Sequence, residues 1–186
     1  MSESSRPNLV KLVEAALFVA GRPLTVKDLQ ATVLSELGMA RSQVNMILEE
    51  LALRYQDSGI ELVEVASGFR FQARKEYAEH LSHLWTEKAP RMSRATLETL
   101  TLIAYRQPIT RAEIEAIRGV SVSSQIMQTL GERNWIRKLG HKEVPGRPAL
   151  WGTTQEFLDY FGLKQLEQLP ELDEDLLAKL PEEFKT

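Results

Sequence analysis

The chain has 186 residues, 43% of them apolar and 26% charged, with a net charge of −3 and no cysteine. This is an ordinary soluble globular composition for one domain or two small ones. It contains no run of about 18 uncharged apolar residues to cross a membrane, and it excludes disulfides, thiol nucleophiles and thiolate metal sites, which fits a cytoplasmic protein.

The opening MSESSRPNLVKL has an early acid and no long apolar core, so it does not read as a secretory signal. Leu9, Leu12, Val13, Ala16, Leu17 and Ala20 then fall on one helical face and predict a helix from Asn8 to Ala20, with Asn8 as cap and Gly21 as stop. Pro23 forces a fresh start. Thr25 and Asp28 have capping-box spacing, and Leu29 and Val33 give the second helix its inward side. A third helix is predicted over 41–55, with Val44, Ile47, Leu48, Leu51 and Tyr55 inward. Phe69, Phe71 and Ala73 alternate with Arg70, Gln72 and Arg74, the period of a strand. Ile60 to Val65 would be its partner, joined through Ala66-Ser67-Gly68. Residues 75–88 predict an amphipathic helix with Tyr77, Leu81, Leu84 and Trp85 on one side, and 88–92 read as a boundary around Pro90.

The pattern then repeats. A shift of 85 positions lays Leu17 on Leu102, Pro23 on Pro108, Leu24 on Ile109, Thr25 on Thr110, Asp28 on Glu113 and Leu29 on Ile114. Ser93 caps a helix whose core face is Leu97, Leu100, Ile103 and Ala104, widened by Leu102. Thr110 and Glu113 open a second short helix that ends at Gly119, and 123–133 supply a third with Ile126, Met127 and Leu130 inward. Trp135-Ile136 starts a strand, 140–149 form a wing, 150–153 return, and 156–161 close with a short helix. The fold class is therefore mainly α with small β-hairpins (α+β): two tandem winged-helix, helix-turn-helix-like domains over 8–88 and 93–163. Residues 169–186 hold six acids and two prolines. They predict a tail without a core of its own, or one helical only when docked, with Leu172, Leu176, Leu177 and Leu180 along one edge.

No reactive constellation emerges. His80 and His83 stand one turn apart near Glu76, Glu79 and Glu87, yet a zinc site needs three or four organised ligands. They read as exposed histidines on a wet helix face. Glu49-Glu50 and Asp173-Glu174-Asp175 are adjacent acids, not carboxylates facing each other across a cleft. The chain reads as a non-enzyme with no metal and no cofactor. In Val144-Pro145-Gly146-Arg147-Pro148, two prolines and a glycine set Arg147 on a stiff loop, either as a recognition tip or as a solvated wing turn.

Charge bears on the choice between DNA and protein as partner. Residues 1–88 sum to −2, 89–168 to +3 and 169–186 to −4. In a helix-turn-helix the third helix enters the major groove and should offer cations or amides. The first module offers Gln43, Asn45, Glu49, Glu50 and Arg54; the second offers Ser123, Ser124, Gln125, Gln128, Glu132 and Arg133. These surfaces favour a protein partner. A DNA-binding transcriptional regulator with two winged helices is the alternative.

Many short blocks occur in one order: Leu97-Glu98-Thr99-Leu100, Ile103-Ala104-Tyr105, Gln107-Pro108-Ile109-Thr110-Arg111-Ala112-Glu113-Ile114-Glu115, Ile117-Arg118-Gly119-Val120, Val144-Pro145-Gly146-Arg147-Pro148, Gly152-Thr153-Thr154, and Phe157-Leu158 with Tyr160-Phe161-Gly162-Leu163. With Val13 to Phe18 and Pro23-Leu24 they make residues 8–172 resemble the bacterial segregation and condensation protein B family. The resemblance implies a structural subunit of the SMC–kleisin complex in chromosome condensation and segregation. It implies a homodimer formed chiefly through the first domain. It also implies a kleisin partner (segregation and condensation protein A), bound largely through the second domain and linking to the SMC ATPase. DNA contact would be weak or indirect, no membrane would be involved, and the protein would be cytoplasmic and nucleoid-associated. Arg106, Gln107, Arg111, Arg118, Arg147 and Trp151 are the expected kleisin-facing residues, from their gathering in the second module and the Pro-Gly-Arg-Pro tip.

Overall fold

A computed structural model describes residues 8–84 and 92–171. The chain divides into two compact units, Met1–Glu87 and Lys88–Thr186. Each is a winged helix: three helices and a β-hairpin.

In the first unit, α1 (Leu9–Val19) starts where Asn8 Oδ1 accepts from the Val10 and Lys11 amides at 3.1 and 3.2 Å. α2 (Val26–Ala31) opens on the expected reciprocal cap: the Asp28 amide donates to Thr25 Oγ1 at 3.0 Å and the Thr25 amide to Asp28 Oδ2 at 2.9 Å. α3 (Arg41–Arg54) turns Val44, Ile47, Leu48 and Leu51 into a core shared with Val13, Leu17, Leu29 and Leu34. β1 (Ile60–Val65) and β2 (Gly68–Ala73) pair antiparallel with Leu62 opposite Phe71. Arg74 fastens the base of the hairpin to the end of α3, donating to the Ser58 carbonyl at 2.7 Å and the Tyr55 carbonyl at 2.9 Å.

The second unit repeats the plan. α5 (Arg94–Arg106) begins on Ser93, whose hydroxyl accepts from the Thr96 amide at 3.1 Å. α6 (Arg111–Arg118) opens on the Thr110–Glu113 cap and ends at Gly119, which has φ 69°. α7 (Ser124–Glu132) is capped by Ser123. The core gathers Leu100, Ile103, Ile109, Ile114, Val122, Leu130, Trp135 and Phe157. β4 (Ile136–His141) and β5 (Ala149–Thr153) form the wing, and α8 (Gln155–Tyr160) closes the unit.

The 85-residue repeat has a structural counterpart without a simple sequence pattern. Residues Ile109–Thr110 form a two-residue strand, β3, against Trp151 and Leu150 of β5, giving the order β3-β5-β4. Leu24, the equivalent of Ile109, makes the same bridge to Phe69 of β2, with bonds of 2.9 and 2.8 Å. The segment before each capping box is thus sewn onto its own hairpin. In the first unit the sewing requires glycine at 68. That residue has φ 131°, and a Cβ there would lie 2.4 Å from the Leu24 carbonyl carbon.

Four expectations change. Residues 75–84 are not one helix: α4 (Ala78–Leu81) is a single turn between two 3-10 turns, Lys75–Tyr77 and Ser82–Leu84. Tyr77 and Leu84 remain exposed, so little burial holds a longer helix together. Leu97 faces out at 45% exposure, and the core face of α5 uses Thr96 and Thr99 instead; the Thr99 hydroxyl is satisfied by the Ala95 carbonyl at 2.8 Å. Strand β4 continues through Gly140 and His141, helped by a register shift between Lys138 and Gly140, so the wing loop is shorter than 140–149. The segment from 163 onward is held down at its start: Leu166 and Leu169 pack on the core, and the Tyr105 hydroxyl donates to the Pro170 carbonyl. Trp85, the 88–91 boundary and the tail from 172 to 186 lie outside the described residues.

Candidate partner-binding surface

The six residues expected to face a partner occupy three places in the second unit. Gln107 is a fastener between α5 and β5. Its Oε1 accepts from the Thr153 amide at 2.8 Å, and its Nε2 donates to Thr153 Oγ1 at 2.9 Å and the Ala104 carbonyl at 3.1 Å. Gly152 makes room for this: a Cβ there would fall 2.6 Å from Gln107 Oε1 and 2.5 Å from Leu139 Cδ1. Trp151 stands on the same sheet, opposite Ile109, half-buried, with the Lys138 ammonium 5.7 Å from the ring centre. Arg106 precedes Gln107 and is half-buried.

The second place is the N-terminal end of α6. Arg111 pairs with Glu115 at 3.0 Å and reaches Ser124 Oγ at 3.4 Å. Nearby, the Lys142 ammonium of the wing loop bonds Glu113 at 2.5 Å, so the capping carboxylate also anchors the loop that displays Arg147. Arg147 has φ 38°, an exposed side chain and a Glu143 partner at 3.0 Å.

Arg118 is the exception. It lies seven residues on from Arg111, about 10 Å along the helix. Its side chain is only 8% exposed and its Nη2 bonds Glu98 at 3.2 Å. Nε and Nη1 are buried without hydrogen-bond partners. The surface role expected of Arg118 does not fit this burial; it joins α6 to α5 from inside.

Three glutamates here are held below the usual carboxylate range. For Glu113, burial opposes the charged form, but the Lys142 ammonium and the Thr110 amide and hydroxyl outweigh it. For Glu115 the Val122 amide acts first and Arg111 second. For Glu98 the Arg94 guanidinium acts first, against some desolvation, with Arg118 adding to it. The donors around them hold these carboxylates in the charged form. His80 and His83 are exposed, and among the described residues no three His, Cys, Asp or Glu side chains gather where they could hold a metal. No helix among the described residues is long and apolar enough to cross a membrane.

The outer faces of the third helices have few cations. On α3, Arg54 is already paired with Glu50 at 2.6 Å, and Met46 and Leu53 stand out into solvent beside it. On α7, Gln128 bonds Glu132 at 2.8 Å. Two apolar surfaces were not picked out from the sequence. In the first unit Phe18 and Val19 are 75% and 78% exposed at the end of α1, because the apolar run there is wider than one helical face. In the second unit Leu97, Thr101 and Tyr105 of α5 form a groove of about 440 Å³ with Phe161, Leu163 and Leu169.

The family model for segregation and condensation complex subunit ScpB matches residues 11–172. The segregation and condensation protein B homolog of Coxiella burnetii is 49% identical over 185 residues, covering 99% of this chain and 87% of the relative. Segregation and condensation protein B of Desulforamulus reducens is 47% identical, covering 89% of this chain and 90% of the relative. Among solved structures, ScpB from Mycobacterium tuberculosis is 34% identical over 83% of this chain and 95% of that chain, with a TM-score of 0.38. A dimer of the ScpB N-terminal domain complexed with ScpA peptide is 30% identical over 41% of this chain and 94% of that one, with a TM-score of 0.37. A match through both winged helices and identities near one half over nearly full length carry one conclusion: the chain belongs to the segregation and condensation complex subunit ScpB family.

Proposed function

We propose that this chain is a non-enzymatic subunit of the bacterial SMC–kleisin complex, acting in chromosome condensation and segregation in the cytoplasm, at the nucleoid. In this reading the first winged helix, 8–88, forms the homodimer. The second, 93–163, binds the kleisin and through it the SMC ATPase. The observation that carries the reading is the character of the outer faces. Phe18 and Val19 expose large apolar side chains, and the third helices mix apolar, amide and acidic groups with few cations, Arg54 being paired to Glu50, where a DNA reader would offer cations. Family membership supplies the biological setting.

The kleisin-facing surface proposed here keeps Arg106, Arg111, Arg147 and Trp151, and leaves Arg118 to its internal ion pair and Gln107 to its fastening of α5 onto β5. Calorimetry with purified kleisin tests it. Arg111→Glu with Arg147→Glu should weaken binding at least tenfold, about 1.4 kcal/mol, while Phe18→Asp with Val19→Asp should convert a dimer to a monomer in light scattering. Full kleisin affinity in the arginine variant, with loss in the Phe18/Val19 variant, would move the kleisin seat to the first unit.

A further inference from the structure

We propose that the outer edge of β4 is a docking site for an acidic, extended segment of a partner polypeptide, which joins the sheet there as a further strand. β4 ends the order β3-β5-β4, so among the described residues no strand covers its outer row of amide and carbonyl groups. Such a rim is a template for strand addition. The chain is acidic overall, yet residues 133–142 hold four Lys or Arg and no Asp or Glu. Within β4 itself Arg137 and Lys138 are exposed, and among the described residues neither has a carboxylate partner. Arg137 stands opposite Gly152 and Lys138 opposite Trp151, so the two cations lean to opposite faces of the sheet. A segment that satisfies both needs carboxylates at two successive positions of an extended strand. The register shift between Lys138 and Gly140 leaves Leu139 without a residue opposite it on β5, and its side chain is 45% exposed. An apolar residue beside the two acids would cover it. The same cations discourage a basic strand or a like rim, so the edge selects its occupant by charge. A phosphate backbone would use the cations alone and leave Leu139 and the ladder groups unmatched, and two cations are few beside the roughly 6–10 phosphate contacts of a strong reader. Neither cation is among the residues assigned to the kleisin, so the inference stands apart from that reading.

The test titrates the isotope-labelled full-length chain with a blocked synthetic hexapeptide, Thr-Val-Glu-Glu-Val-Thr, up to about 1 mM. The amide signals of residues 136–141 should shift, while those of α3 should not. The same peptide with lysines in place of the glutamates should leave both unmoved. Arg137→Glu with Lys138→Glu should weaken binding of the glutamate peptide by about tenfold or more. That variant should bind the lysine peptide in its place, an exchange of preference that a loss of folding cannot produce. No shift at β4, or equal binding by wild type and variant, would overturn the proposal. So would a random DNA duplex that shifts the same amides at about 150 mM salt and displaces the peptide, because the rim would then serve phosphate. Shifts that grow with protein concentration in the absence of peptide, and vanish in Glu61→Lys with Glu64→Lys, would make β1 of a second copy the occupant instead. Peptide binding that appears only once residues 172–186 are removed would give the edge to the chain's own acidic end.

Discussion

Arg118 shows how a single side chain alters the design of an experiment. Read from sequence it is one more cation in a basic module; in the fold it is a buried strut against Glu98. Replacing it by methionine removes a guanidinium with two unpartnered nitrogens and leaves Glu98 bonded to Arg94, so stability should change by less than about 1 kcal/mol. Arg118→Glu buries a second carboxylate beside Glu98 and should cost about 3–5 kcal/mol. Urea denaturation separates that loss from any effect on a partner. Gly68 is the corresponding point in the first unit. Gly68→Ala drives a methyl into the Leu24 backbone at a positive φ and should cost about 3 kcal/mol, read by the same method. Glu113 contributes to the pH dependence of the second unit together with Glu98 and Glu115, whose pKa values are also lowered. The folded pKa of Glu113 lies below the unfolded value of 4.5, so its contribution is complete above that pH and is lost as pH falls through the folded pKa. The second unit should therefore hold its denaturation midpoint from pH 7 to about 5.5 and lose it below about 4.5. Glu113→Gln should lower the plateau by about 1 kcal/mol and flatten the slope.

At the scale of elements, the helices were legible wherever a cap and an apolar stripe agreed. Thr25 with Asp28, Thr110 with Glu113, and the prolines before them declare their positions through local chemistry, and the structure places both boxes where the spacing puts them. What escaped depends on partners distant in sequence. Two residues of β3 have no period to read, and their strand character comes from the return of β5. Leu97 and Thr99 exchange roles because the threonine hydroxyl can satisfy itself on the Ala95 carbonyl, which makes threonine an acceptable core residue. The groove was invisible for the same reason: its walls meet only after α8 and residues 163–171 fold back on α5. Leu29 and Ile114, equivalent in the repeat, are both fully buried. Leu29→Ala and Ile114→Ala should each cost about 2–5 kcal/mol. Hydrogen exchange should show the first loss in α1–α3 and the second in α5–α7.

For the whole molecule the decisive quantity is the balance of charge. A chain of net charge −3, with Arg54, Arg94, Arg111 and Arg147 already paired to glutamates, has little to offer a phosphate backbone. At about 150 mM salt it should give no gel shift with random duplex at micromolar protein, and a tight shift would favour the DNA-binding alternative. The sheets bear on assembly in another way. Each hairpin has one flank closed by the segment before a capping box, Leu24 on β2 and β3 on β5, which leaves β1 and β4 as the open rims. The rim at β1 carries Glu61 and Glu64; the rim at β4 carries Arg137 and Lys138. Two molecules aligning like rim to like rim would set charge against equal charge across a new ladder, which is unfavourable. Unlike rims would meet with opposite charges, Glu61 and Glu64 of β1 against Arg137 and Lys138 of β4, so the charges oppose like-with-like strand pairing and leave the β1-to-β4 pairing between molecules open.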